Sequence, residues 1–398
     1  MRILIVSQYY YPERVSVSDI AEELVKSGHK VSVITGKPNY GFHKILPEYK
    51  KVKFEVINEV EVYRINLLPR KFGHVSISLN YLSFYFNARR FIRHFKEDYD
   101  VVLSISLSPV ISISPAILYA KKHHVPHVLF CEDLWPESTV FTNAVRKDSL
   151  IYKLLFKWSV SLYRNCDEII ISSPSFKEYF EKVLNITDKS FVHINQPIIK
   201  SKNDSIESKE YSHKYNFVYA GNLTKLQLVD KLVESFSKIN DEDVTLHLMG
   251  MGNELPNIEK YVEEKHLENK IIYHGALPIE EAEQFYLNAD ALIVSLKDAG
   301  YVGKTIPNKA IQYLKYGRPI LGIIKGDGEN LLKEANGTIF SSQKEEDIVD
   351  AIRKIISLTK EEKNQLGKNN KTYFEENLTS EKLVKEIEQE LLKQIKVH

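Results

Sequence analysis

The most constraining feature of this sequence is an alternation that runs twice along it. Residues 2–7, 30–35, 101–106, 125–131 and 168–172 are short, almost wholly apolar runs. Residues 52–66 alternate enough to be strands as well, and helical stretches separate the runs; the first helix, at 18–27, ends at Gly28. The pattern restarts with strand-like runs at 216–220, 244–249, 270–273, 291–295 and 319–324, and helices at 230–239, 280–288, 308–316 and 346–357. Continuous apolar runs are what a strand buried on both faces requires, and strand–helix alternation produces a parallel sheet covered on both sides. Between the series, 198–215 is rich in Lys, Ser, Asn, Asp and Glu, which is linker composition, and 380–396 reads as a final amphipathic helix. The expected fold is therefore α/β, with two Rossmann-like domains facing across a cleft. The first occupies 1–196, a linker 197–215, the second domain 216–376, and a helix 377–398 returns to the first. Open α/β sheets bind ligands beyond the carboxyl ends of their strands, which makes the cleft the expected site.

Composition removes several classes. Hydrophobic residues are 43% and charged residues 27% of the 398, which excludes a disordered or fibrous chain. No apolar run approaches the roughly 18 residues of a membrane span, and the apolar start at 3–6 is short for a secretory signal. Cys131 and Cys166 are the two cysteines, too few for a disulfide framework or a cysteine zinc site, and they suit a reducing cytosol. A net charge of +1 gives no sign of nucleic-acid binding, although basic residues predominate in 1–196 and acidic ones in the remainder.

Five segments carry candidate chemistry. Gly221-Asn222-Leu223-Thr224-Lys225 follows a strand and precedes a helix, so its amides can cradle a phosphate; the plain alternative is a βα loop. Gly250-Met251-Gly252-Asn253-Glu254 ends another strand, where two glycines permit close backbone approach, but Leu255 stands where a dinucleotide fingerprint needs its third glycine. Residues 303–309 lead into a helix with Pro307 in its first turn. Lys304, Asn308 and Lys309 there form a diphosphate seat, or else a capped surface helix. In Cys131-Glu132-Asp133-Leu134-Trp135-Pro136-Glu137-Ser138, two acids close a strand; Asp133 or Glu132 can act as a base or orient a hydroxyl, and the competing reading is an N-cap by Asp133 over a core Trp135. Residues 70–96 hold Arg70, Lys71, Arg89, Arg90, Arg93 and Lys96 among seven aromatics and no acid, which suits an anionic membrane surface or, equally, a core helix with a solvated basic face. Asp98-Tyr99-Asp100 precedes a strand rather than following one, so it reads as structural rather than as a metal-binding pair.

Together these pieces resemble the retaining glycosyltransferases of family 4, which have the GT-B fold, and in particular the bacterial surface-polysaccharide branch of fucosaminyltransferase-like enzymes. The resemblance rests on Tyr11-Pro12-Glu13-Arg14, Gly28-His29-Lys30-Val31, Gly36-Lys37-Pro38-Asn39-Tyr40 and 133–138. It extends through Tyr219-Ala220-Gly221-Asn222-Leu223 and Pro307-Asn308-Lys309 to Tyr313 and Gly317-Arg318-Pro319. It implies a nucleotide-sugar donor, UDP-linked, held by the second domain. Gly221, Asn222, Lys225, Lys304, Asn308 and Lys309 would meet the diphosphate. Gly250, Gly252, Asn253, His274, Ala276, Leu277 and Gln312 would meet the base and ribose. Tyr11, Glu13, Arg14, Ser16 and Trp135 would lie on the acceptor side with Asp133 and Glu132 as the catalytic acids. It implies transfer with retention, no metal and no cofactor.

The chain departs from that family at Gln312 and Lys304, where many relatives have glutamates, and at 15–18, where glycines are common. The expectation is a peripheral enzyme on the cytosolic face of the membrane, with Arg70, Lys71, Arg89, Arg90 and Arg93 toward anionic lipid. It would glycosylate a polyprenyl-linked saccharide of a capsule or O-antigen beside other polysaccharide-synthesis enzymes. The rivals are a non-catalytic GT-B subunit that stabilises a partner glycosyltransferase and, further off, a sugar-nucleotide epimerase.

Overall fold

The protein is described by a computed structural model covering all residues except 14, 72, 142–143, 199–207, 209 and 241–242. The chain separates into two compact units, Met1–Ile199 with Ser380–His398, and Lys200–Thr379.

The first unit follows the strand–helix alternation. Its strands are β1 (Arg2–Val6), β2 (Lys30–Gly36), β3 (Phe54–Ile57), β4 (Val60–Ile65), β5 (Val101–Ser106), β6 (His127–Cys131), β7 (Glu168–Ile171) and β8 (Ser190–His193). They form one sheet in the order β3-β4-β2-β1-β5-β6-β7-β8, parallel except for the β3–β4 hairpin. That hairpin turns at Asn58 and Glu59, both at positive φ, as a two-residue hairpin turn requires. The helices are α1 (Ser16–Lys26), α2 (His74–His94), α3 (Ser114–His123), α4 (Glu137–Phe141), α5 (Leu150–Arg164) and α6 (Ser175–Lys182). α1 buries Val17, Ile20, Ala21 and Leu24 against the sheet; α2 buries Phe84, Ala88 and Ile92, at helical spacing, on the opposite face.

The second unit repeats the plan. β9 (Tyr215–Ala220), β10 (Val244–Met249), β11 (Ile271–Tyr273), β12 (Ala291–Ser295), β13 (Ile320–Ile323) and β14 (Thr338–Phe340) form a wholly parallel sheet in the order β11-β10-β9-β12-β13-β14. Its helices are α7 (Val229–Ser237), α8 (Leu255–Glu264), α9 (Ile279–Tyr286), α10 (Asn308–Leu314), α11 (Asp327–Ala335), α12 (Glu345–Ser357) and α13 (Lys360–Asn377).

The last helix, α14 (Ser380–Val397), belongs to the first unit. Leu383, Val384, Ile387 and Leu391 recur at helical spacing and join the core that contains Ile20 and Leu24. Polar clasps fix its register: His29 Nε2 meets Glu388 at 2.7 Å, and Glu168 accepts from Lys393 at 3.3 Å and Gln394 at 2.9 Å.

Candidate active site

In the first unit the carboxyl ends of β1, β2 and β6 bring three loops together. Glu132 follows β6 and accepts a hydrogen bond from Ser16 Oγ, at the start of α1, at 2.9 Å. The adjacent Asp133 is held by the Leu134 amide and the side chains of Ser138 and Ser108. Both carboxyls are pushed up to about 7, chiefly because burial penalises their charged form; hydrogen bonds from Ser16 to Glu132 and from Ser138 to Asp133 pull the other way. Two acids that titrate near neutrality at a strand's carboxyl edge can exchange a proton with a hydroxyl at physiological pH.

Other residues expected on the acceptor side are turned inward. Glu13 is buried, and its Oε1 accepts from the amides of Asn39 at 2.7 Å and Tyr40 at 2.6 Å. It therefore clamps the loop after β2 rather than facing a ligand; burial lifts it to about 7 even against those donors. Trp135 is buried, its indole N–H donating to Ser108 Oγ at 2.8 Å and its amide to the Tyr163 hydroxyl. Tyr11 is half-buried, its carbonyl accepting from the buried Arg64 guanidinium. Arg14 lies outside the described residues.

The basic segment divides in the same way. Arg70 donates to Tyr9 Oη at 3.1 Å and lies over the rings of Tyr40 and Tyr81, and Arg89 donates to Ser114 Oγ. These two cations bind the fold together. Lys71, Arg90 and Arg93 are exposed.

In the second unit the two glycine loops lie against each other. A Cβ on Gly250 would stand 1.8 Å from Gly221 O, and one on Gly252 would stand 1.9 Å from Leu223 O. The close approach that these glycines permit is thus to the neighbouring loop, sealed by Gly221 N–H to Met249 O and Leu223 N–H to Met251 O, both 2.9 Å. Tyr219 Oη donates to Asn222 O at 2.8 Å, and Tyr313 Oη accepts from the Ala220 amide at 2.9 Å, tying α10 to the end of β9.

Under this turn sits Lys309. Its Nζ is 3.9 Å from the centre of the Tyr219 ring and would be 3.0 Å from a Cβ on Gly221. The atom is buried and has no hydrogen-bond partner among the described residues, and burial lowers its pKa to about 7. A buried ammonium without a partner is costly, so the place is suited to an anion.

The remaining residues spread around this point. Asn222, Lys225, Asn253, Ala276 and Lys304 are exposed, and Asn308 begins α10. His274 Nε2 is 2.9 Å from His247 Nδ1, and burial, with the His274 charge beside it, drives His247 down to about 3. Leu277 is half-buried. Gln312 reaches the Tyr316 hydroxyl, which in turn donates to the buried Glu283, so its amide is oriented by this chain.

Sequence reasoning gave Tyr219 and Tyr313 only as parts of the resembling segments, with no role, and missed Tyr316 and Glu283, because a tyrosine and an acid at helical spacing look like core and solvated face. It also passed over Gly326, where a Cβ would meet Lys304 Cα at 2.8 Å; Gly326-Asp327-Gly328 was a visible turn signal. Among the described residues no group of three or more His, Cys, Asp or Glu side chains is placed to hold a metal ion.

Two Rossmann-like units in one chain, each built on a largely parallel sheet, are the plan of a GT-B protein. Residues 14–198 match the family described as Glycosyltransferase Family 4, and residues 200–373 that described as Glycosyl transferases group 1. The chain belongs to the family 4 glycosyltransferases. It is 24% identical over 238 residues to "Probable glycosyltransferase WbjE" of Pseudomonas aeruginosa, a match that spans 58% of this chain and 58% of that protein. It is 22% identical over 252 residues to the lipopolysaccharide 1,6-galactosyltransferase of Salmonella typhimurium, across 59% of this chain and 67% of that one. The structure of Anabaena HepE in complex with UDP shares the fold, with a TM-score of 0.69 at 12% identity, covering 98% of this chain and 99% of that chain.

Proposed function

We propose that this family 4 glycosyltransferase moves a sugar, with retention, from a UDP-sugar to a lipid-linked oligosaccharide in the synthesis of a surface polysaccharide such as a capsule or O-antigen. The observation that carries the donor half is the unpartnered Lys309 ammonium beneath the Gly221 turn. A diphosphate there would receive Lys309, the Asn222 amide of the Gly221 turn and the start of α10, with Lys304 and Lys225 at the rim. Charge gathers on the diphosphate as the glycosidic bond to it breaks, and a preformed cation in a dry place stabilises that charge strongly. This reading takes the lysines as the leaving group's partners, with no metal ion. The base and ribose fall to Gly250, Gly252, Asn253, His274, Ala276, Leu277 and Gln312. Asp133, with Glu132, orients or deprotonates the acceptor hydroxyl. HepE holds UDP, and the Salmonella relative is a lipopolysaccharide galactosyltransferase, which supports the donor and acceptor classes.

Gln312 motivates a second reading, a non-catalytic subunit, because its amide is already engaged by Tyr316. Mass spectrometry after incubation with UDP-sugars and polyprenyl-linked saccharides separates the two. A product one sugar heavier supports transfer. UDP binding without product from any donor supports the subunit.

A further inference from the structure

Helix α2 carries a second face that the core does not use. Val75, Leu79, Leu82 and Phe86 recur at intervals of four, three and four, so they lie in one row opposite the buried Phe84, Ala88 and Ile92. All four are exposed, Val75 at 76% and Phe86 at 63%. The row continues into Arg90 and Arg93, both exposed.

Helix α5 presents a matching surface, with Leu150 and Leu154 exposed at 78% and 68% and Ile151 also exposed. Trp158 follows Ile151 and Leu154 on the same side, and its ring meets Tyr85 of α2 edge-on at 5.4 Å between centroids. Tyr85 in turn touches Phe86 at 5.0 Å. The two exposed rows therefore flank one Tyr–Trp contact.

Neither helix contains an acidic residue. α5 adds Lys153 and Lys157, both exposed. The acids around them are paired or flanked by cations: Glu137 accepts from Tyr152 of α5 and pairs with Lys147, Glu97 and Asp98 pair with Arg2 and His123, and Asp148 lies close to Arg146 in sequence.

From this geometry we propose that the α2–α5 face is a docking surface for an anionic lipid bilayer, with the apolar rows entering the headgroup boundary and Arg90, Arg93, Lys153 and Lys157 meeting the phosphates. Exposed apolar patches bounded by cations and lacking acids suit that interface, and Tyr and Trp suit its depth. A second copy fits less well, since a two-fold contact sets the same cations against one another.

The test is co-sedimentation of the full chain with vesicles of phosphatidylcholine plus phosphatidylglycerol, and of phosphatidylcholine alone. The wild type should bind the mixed vesicles. Joint substitution of Leu82→Ser, Phe86→Ser, Leu150→Ser and Leu154→Ser should lower that binding at least about tenfold. If that variant fails to fold, Arg90→Glu with Arg93→Glu decides, and should remove the preference for anionic lipid. Absence of wild-type binding, or equal binding by the variants, overturns the proposal. So does a wild type that self-associates in light scattering while the variants are monomeric. A melting shift with UDP, measured in parallel, tests the donor reading separately, so either can fail alone.

Discussion

The Lys309 ammonium lies 3.9 Å above the Tyr219 ring, buried and without a hydrogen-bond partner among the described residues. A cation and a ring face attract, but a ring cannot replace the water that the ammonium has lost. The amine therefore titrates at about 7, where an unfolded lysine titrates at about 10.4.

This fixes how nucleotide binding should respond to pH. A diphosphate beside Lys309 favours the charged form and raises its pKa. Above pH 7 the free amine is neutral and the complex must take up a proton, so affinity for UDP should fall as pH rises, by up to about tenfold per unit. Titration calorimetry at pH 8 in buffers of different ionisation enthalpy should report that uptake. Lys309→Ala should abolish it and weaken binding about tenfold or more. Unchanged UDP affinity in Lys309→Ala would place the diphosphate elsewhere.

Asp133→Asn should leave UDP binding intact and lower sugar transfer by about 100- to 10,000-fold, as loss of a positioned base does. Stability should move the other way. The folded carboxyl titrates at about 7 against about 3.9 unfolded, so the folded protein holds the proton more tightly between those values and loses stability as pH rises through them. The amide that replaces it carries no charge to desolvate. The variant should melt above wild type at pH 8, and the gap should close toward pH 4. Near-normal turnover would remove Asp133 from the mechanism.

The Ser16–Glu132 hydrogen bond lowers the pKa of a carboxyl that burial raises. Ser16→Ala should shift the rising limb of the pH–rate profile to higher pH, with the donor KM unchanged. A limb that stays in place would separate Glu132 from the proton transfer.

Gly250→Ala should disrupt the second unit. The new Cβ would stand 1.8 Å from Gly221 O at a φ of +128°, and that neighbour is backbone, which cannot swing aside. A cost of about 3 kcal/mol is expected, and a melting point roughly 6–12 °C lower. UDP binding should weaken together with stability, because the strain falls on the Gly221 turn.

Ile387→Ala should destabilise the first unit by about 2–5 kcal/mol, since Ile387 is fully buried in that unit's core although it lies in the last helix. Chemical denaturation followed by Trp135 and Trp158 fluorescence reads the first unit alone, because both tryptophans belong to it. An unchanged tryptophan transition would contradict the docking of α14.

Amino-acid order alone determined the α/β class, because strands buried on both faces leave unbroken apolar runs and helices leave periodic ones. It also marked the acids at 132–133 and the glycine turn at 221, since each follows a strand where a parallel sheet opens to ligand, and the lysine at 309, which stands at a helix start. Spacing could not tell which side chains turn inward. Glu13, Trp135, Arg70 and Arg89 look like site or surface residues in sequence. Long-range contacts with Asn39, Ser108, Tyr9 and Ser114 take them into the fold. Nor could it show that Gly250 makes room for Gly221, that Tyr219 lies beneath Lys309, or that α2 and α5 place their apolar rows beside one Tyr–Trp contact. Those relations join residues far apart in the chain. They exist only once the sheet order is set, because packing, not local propensity, chooses which of many polar and apolar side chains each residue will meet.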